Sequence, residues 1–229
     1  MAQSKRKTLI IWLLAASPIL VLTTILYLTS GGFFGGLPSF EQLENPKNSL
    51  ATEIISEDGV VLGKYFFENR SNIKFRELPE NLVNALVATE DVRFRKHTGI
   101  DVRALVRAVK GQLLGESGSG GASTITQQLA KMLFTEKPGS GLERVMQKFK
   151  EWIIAVRLER QYTKEEIIAM YLNRFDFVNN AVGIKSAAQV YFNTTPSALS
   201  IIESATLVGM CKNPSLYNPN RRDSLPRAR

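Results

Sequence analysis

Three stretches of the chain carry side chains whose types and spacing could do chemistry. The first runs from Glu90 to Asp101 (EDVRFRKHTGID). An acidic pair ends an apolar helical run and is followed by three bases, the sole histidine, His97, and a third acid. A carboxyl at the edge of an apolar helix is desolvated, which favours its neutral form and suits it to proton transfer near neutral pH. The same spacing also fits a solvated Glu90 and Asp91, with His97 bonded to the backbone. The second stretch is GASTITQQLAKM, Gly121 to Met132. In a helix, Thr124, Gln128 and Lys131 fall at i, i+4 and i+7 on one stripe, beside an apolar stripe of Ile125, Leu129 and Met132. One edge would face a core while the other offers hydroxyl, amide and ammonium. The preceding glycines would let backbone N–H groups approach an anion. An amphipathic helix with a solvated polar face is the alternative, and no G-x-x-x-x-G-K-[ST] string makes it a P-loop. The third stretch is RVMQKFKEWIIAV, Arg144 to Val156, which sets Arg144, Lys148 and Glu151 at i, i+4 and i+7. Glu151 stands where the helix turns apolar all round, so it should be partly buried. The alternative is a surface Lys148–Glu151 pair worth a few tenths of a kcal/mol. Two carboxylates among lysines and arginines suit acid/base chemistry on a phosphate-bearing or glycosidic substrate.

These residues must be positioned by helices. Leu78-Pro79-Glu80 opens a segment with Leu82, Ala85, Leu86 and Thr89 at helical spacing, with proline placed for a first turn. A helix starting after Asp101 sets Val102, Leu105, Val106, Val109 and Leu113 on one face, with Arg103, Arg107 and Lys110 opposite. The glycine-rich run 115–121 is a break. Further helices are expected at 123–134, 142–161, 164–173, 183–192 and 197–211. Two carry capping boxes, Thr163 with Glu166 and Ser200 with Glu203. Upstream, TEIISEDGVVLGKYFF over 52–67 puts Asp58-Gly59 between two β-branched runs, a hairpin signal.

Composition narrows the partners. With 229 residues, 44% of them hydrophobic, the chain has enough apolar material for a core and is neither disordered nor a disulfide scaffold. The single cysteine, Cys211, excludes an internal disulfide and a multi-cysteine zinc site. The formal charge is +8, which suits an anionic partner. From Leu9 to Leu28 the chain carries no charge, after Lys5-Arg6-Lys7. About twenty helical residues span a hydrocarbon core of about 30 Å, and the basic flank stays cytoplasmic. The expected organisation is a cytoplasmic tail (1–8), a transmembrane helix (9–29), a juxtamembrane linker with a β-hairpin (30–76) and a mostly helical domain (77–229). Without the three tail bases the net charge is still +5. A basic domain outside the cytoplasm points to lipid-borne phosphates rather than nucleic acid.

The blocks EDVRFRKHTGID, GASTITQQLAK, QKFKEWIIAVRLER, KEEIIAMYLNRFDF and ESATLVGMCKNPSLYNP, in that order, resemble those of glycosyltransferase family 51. That family is the peptidoglycan glycosyltransferase module of class A penicillin-binding proteins and their monofunctional relatives. The resemblance covers about residues 80–220, and SEDGVVLGKYF is similar to the family's membrane-proximal segment. It implies a mainly α, lysozyme-like fold with a membrane-embedded small lobe, anchored in the cytoplasmic (inner) membrane as a single-pass type II protein. The implied reaction polymerises lipid II into β-1,4 glycan with release of undecaprenyl pyrophosphate. By motif match, Glu90 is the general base on the acceptor 4-hydroxyl and Glu151 the second carboxylate, near the donor. Ser123, Thr124, Gln128, Lys131 and Lys148 match the substrate-binding positions, and Arg144 and Lys150 are further candidates. The family pattern adds a divalent cation, Mg or Mn, at the pyrophosphate, with Asp91 as the candidate ligand, and no organic cofactor. Implied partners are lipid II, the growing glycan strand, the membrane, and other cell-wall synthesis proteins or a C-terminal transpeptidase domain.

Several positions depart from the family pattern. Met132 replaces a usual Asn, Gln147 a usual Arg and Ala169 a usual Glu, while Val178 and Asn180 stand where glycines are common. The S-x-x-K strings at Ser4–Lys7 and Ser71–Lys74 are coincidental, since no K-[ST]-G follows either. A transpeptidase module is not expected within these residues. Two other readings share the sequence: a lysozyme-like lytic enzyme that cleaves glycan, and a non-catalytic cell-wall scaffold.

Overall fold

The computed structural model describes residues 2–33, 35–38, 52–56, 58, 61–65, 73–115, 121–134 and 139–221. It opens with one long helix, α1 (Ala2–Ser30), which contains the whole 9–29 segment. Proline at position 18 leaves α1 continuous. Trp12, Leu13, Leu20 and Val21 are each more than half exposed on it. Among the described residues no helix is long and apolar enough to cross a membrane. Downstream of α1, two short strands pair antiparallel, β1 (Thr52–Ile55) and β2 (Val61–Tyr65), with Thr52 opposite Tyr65 and an irregularity between Ile54 and Ile55.

The rest is helical: α2 (Glu80–Glu90), α3 (Val102–Leu113), α4 (Ile125–Phe134), α5 (Gly141–Gln161), α6 (Lys164–Arg174), α7 (Ile184–Phe192) and α8 (Ile201–Met210). Local chemistry sets these starts. Asp101 caps α3 by accepting from Ala104 N–H, and Ser140 caps α5 by accepting from Glu143 N–H. Both expected capping boxes form, at Thr163/Glu166 on α6 and Ser200/Glu203 on α8. The helix expected over 197–211 is therefore divided. Pro196–Ala198 makes a 3₁₀ turn, Ser200 is extended, and α8 begins after it. Likewise α4 starts at Ile125 rather than 123, because the Thr124 hydroxyl accepts from Gln127 N–H and acts as the cap.

One core joins these helices. Helix α4 packs against α5 and α6, and α2 against α8. Leu82, Leu86, Phe94, Ile125, Leu129, Leu158, Ile167 and Tyr171 are all fully buried there. Helix α3 departs from expectation. Its apolar row Val102, Val106, Val109 and Leu113 faces solvent, while Ala104, Leu105, Ala108 and Gly111 are the more enclosed positions. Periodicity placed the stripe correctly, but among the described residues nothing covers it.

Two glycines are dictated by close approach. Gly99 has φ +93, and a Cβ there would lie 2.9 Å from the Ala155 carbonyl on α5. Gly183 has φ +82, and its Cβ would meet Asn173 O at 2.7 Å. The turn before it runs left-handed through Val178, Asn179 and Asn180, with φ of 58, 51 and 59. The glycines usual at 178 and 180 would adopt that conformation without a Cβ penalty. Nothing in the structure explains Met132, Gln147 or Ala169.

Candidate active site

Glu90 ends α2 and opens onto a cleft of about 420 Å³. The lining includes Glu90, Asp91, Arg93, Arg107, Ser123, Thr124, Gln128 and Lys212. The chain turns sharply after Glu90, and Asp91 points inward. Asp91 is nearly buried; its Oδ2 accepts from Ile125 N–H at 3.1 Å, and His97 Nε2 lies 3.0 Å from both carboxylate oxygens. His97 Nδ1 accepts from Gly99 N–H at 3.2 Å, so the Nε2 proton is the one given to Asp91. One donor is the His97 ring and the other the first backbone N–H of α4, so this carboxylate locks the start of α4 against the end of α2.

Thr124 and Gln127 complete that lock. The Thr124 hydroxyl donates to Gly99 O at 2.7 Å, and Gln127 Nε2 donates to the same oxygen at 3.1 Å. Behind it, Lys164 Nζ donates to His97 O at 2.7 Å and pairs with Glu159, while Thr126 donates to Glu159 Oε1. Lys164 also lies over the Phe94 ring, 4.2 Å from its centroid. The scaffold under Glu90 is thus a buried, cross-bonded polar layer.

Glu90 itself is partly exposed, and its Oε2 accepts from Gln128 Nε2 at 3.1 Å. Gln128 Oε1 accepts in turn from the Tyr171 hydroxyl at 3.0 Å. Glu151, on α5, is only 5% exposed. It does not line the cleft but is tied to its wall: Lys148 Nζ donates to Glu151 Oε2 at 3.0 Å and to Ser123 Oγ at 2.8 Å. Expected burial of Glu151 and an i, i+3 pair with Lys148 therefore coexist.

Of the residues expected at the site, Glu90, Ser123, Thr124 and Gln128 line one cleft, with Lys148 and Glu151 joined to it through Ser123. Lys131 and Arg144 are exposed and line no part of this cleft. Lys150 turns toward the chain leaving α1, its ammonium beside Gly35. Thr124 spends its hydroxyl on the scaffold rather than on the open cleft. Asp91 fits poorly as a ligand for a divalent cation, because both its oxygens are taken by His97 and Ile125. Among the described residues no group of three His, Cys, Asp or Glu side chains could hold a metal ion.

Arg93, Arg107 and Lys212 line the cleft without having been singled out. Arg93 pairs with Asp101 at 3.4 Å. Burial pushes the Asp101 carboxyl up, but the Ala104 N–H, the Arg93 guanidinium, the Arg103 N–H and His97 together hold it below the ordinary carboxylate range. Lys212 follows α8 and comes from the last of the five sequence blocks; only the closed fold brings it to Glu90. Tyr171 carried no signal beyond its place in an apolar helical row.

A transglycosylase family model matches residues 58–229. Penicillin-binding protein 1A of Neisseria gonorrhoeae is 39% identical over 183 residues, which is 80% of this chain and 22% of that protein. Penicillin-binding protein 1A of Pseudomonas aeruginosa is 38% identical over the same shares of each. The chain thus spans about a fifth of the length of these relatives.

Proposed function

The chain belongs to the transglycosylase family, and on that premise we propose that it is a membrane-anchored peptidoglycan glycosyltransferase that polymerises lipid II. The observation that carries this reading is Glu90, a carboxylate at the open end of a helix, oriented by an amide and facing a cleft lined by Arg93, Arg107 and Lys212. An acceptor hydroxyl placed there gives its proton to Glu90 as its oxygen attacks the anomeric carbon of the donor sugar. The new C–O bond forms as the bond to the diphosphate breaks, with inversion to a β-1,4 link. Undecaprenyl diphosphate leaves with the electron pair. The leaving group is a stable anion that needs positive charge rather than a proton, and the cleft bases with Lys148 supply it. Glu151 holds the Lys148 ammonium at the Ser123 wall.

The anchor belongs to the same proposal. Its support is the sequence: the uncharged run from Leu9 to Leu28, preceded by Lys5-Arg6-Lys7, suits a single-pass segment in the cytoplasmic (inner) membrane with its N-terminus inside. The catalytic domain then works outside, at the surface where a lipid-linked substrate is held. Other cell-wall enzymes, including a transpeptidase domain joined to this one, fit as partners.

The test is polymerisation of lipid II by the purified chain beside its Glu90→Gln variant. The expected result is polymer from the parent and a loss of about 10²–10⁴ in turnover for the variant, with an unchanged melt. Turnover within tenfold of the parent overturns Glu90 as the base. Cleavage of polymeric glycan without polymerisation would make the chain a lytic enzyme instead, and inactivity of the folded parent would leave it a scaffold.

A further inference from the structure

We propose that Tyr171 is a positioning residue for the Glu90 carboxylate, acting through the amide of Gln128. The inference rests on Glu90 being the general base and adds the element that holds it. A side-chain amide has an acceptor end and a donor end, and which end meets a carboxylate decides between attraction and repulsion. Here the hydroxyl of Tyr171 donates to Gln128 Oε1 at 3.0 Å, which leaves Nε2 to donate to Glu90 Oε2 at 3.1 Å. The relay crosses three helices: Tyr171 on α6, Gln128 on α4 and Glu90 at the end of α2.

Each member is held differently. Tyr171 is fully buried in the core, its ring 5.7 Å from that of Phe175, so its hydroxyl cannot swing toward bulk water. Gln128 is half-buried between them, and Glu90 opens to the cleft. Rigidity therefore passes outward from the core to the one group that must meet the acceptor hydroxyl. Preorganised hydrogen bonds of this kind set the geometry before the substrate arrives. Without the phenol, the carbonyl end of Gln128 loses this donor. The amide can then turn either way, and one of its two orientations sets an oxygen against the carboxylate. The loss should appear in the chemical step and not in substrate binding, because Tyr171 is walled off from the cleft.

The experiment compares the parent, Tyr171→Phe, Gln128→Met and the double variant in steady-state lipid II polymerisation, each beside a thermal melt. The expected result for Tyr171→Phe is a roughly tenfold lower kcat with KM unchanged. In the Gln128→Met background the tyrosine substitution should cost nothing further, since the relay is already cut. A parent-like kcat in Tyr171→Phe overturns the proposal, as does a loss that simply adds to that of Gln128→Met. Should Tyr171→Phe fail to fold, Gln128→Met still decides: a parent-like kcat there refutes the relay. Glu90→Gln run in parallel separates the two ideas. If it retains turnover, the base assignment falls; if it is inactive while Tyr171→Phe is normal, only the tyrosine relay falls.

Discussion

Asp91→Asn separates a scaffold carboxylate from a metal ligand, and the structure fixes its size. Asp91 offers two oxygens to two donors, Ile125 N–H at 3.1 Å and His97 Nε2–H at 3.0 Å. Asparagine keeps one oxygen and replaces the other with an NH₂ group, so one of the two donors must face another donor. The site is nearly closed, with the Asp91 side chain 3% and the His97 side chain 5% exposed. Water therefore cannot make good the missing acceptor. One charge-assisted hydrogen bond lost costs about 1.5–3 kcal/mol. A carboxylate withdrawn from the first turn of α4 costs about 0.3–1 kcal/mol more. The expected loss is about 2–4 kcal/mol, or a Tm lower by about 5–15 °C for a domain of this size. The assay is thermal unfolding followed by near-UV circular dichroism, with and without added magnesium. A residue that held a cation would instead leave the metal-free melt nearly untouched and abolish any stabilisation by magnesium. A Tm within about 2 °C of the parent would refute the structural assignment.

Two further outcomes rest on the same geometry. Lys148→Ala leaves Glu151 enclosed without the ammonium that meets its Oε2, but the lysine side chain is 38% exposed, so the loss of stability should stay near 1–2 kcal/mol. The catalytic efficiency with lipid II should fall at least tenfold, and kinetics equal to the parent would make Lys148 a bystander. Acid should unfold the domain partly through Asp101 and Glu166. The Thr163 N–H and hydroxyl hold Glu166 below its ordinary value, as the Ala104 N–H and Arg93 do Asp101 against its burial. Groups with lowered folded values contribute stability that is complete above the ordinary carboxylate range of about 4 and is lost as pH falls through the lowered values. Urea melts between about pH 6 and pH 2 should be less steep with pH in Asp101→Asn, which keeps a capping side chain. An unchanged slope would show that Asp101 adds nothing to acid sensitivity.

Helix starts were legible because they are set by neighbours in sequence. Thr163 and Glu166, or Ser200 and Glu203, need only three residues to find each other. Glu90 and Gln128 were legible as chemistry, yet their contact spans 38 positions and required the closed fold. The exposed row on α3 went the other way: a period shows which residues share a face but not whether anything covers it. Asp91 and His97 lie six apart across a 3₁₀ turn, a spacing that no helix or strand period brings together. Lys150 lies beside Gly35 rather than at Ser123 for a related reason. Neighbours on a helix diverge by about 100°, so Lys148 and Lys150 cannot both face Ser123. Tyr171 was invisible because a core tyrosine and a core phenylalanine read alike until the hydroxyl has a partner.

The chain between α1 and α2 is fastened to the domain at both of its ends. Arg157 Nη1 donates to Pro38 O at 3.4 Å, and the Asn173 amide exchanges two hydrogen bonds with the backbone of Ile73, at 3.0 and 2.8 Å. Both pins end on α5 and α6, the helices that carry Glu151 and Tyr171, so the chain leaving α1 and the chain entering α2 are each seated on an element that supports the cleft.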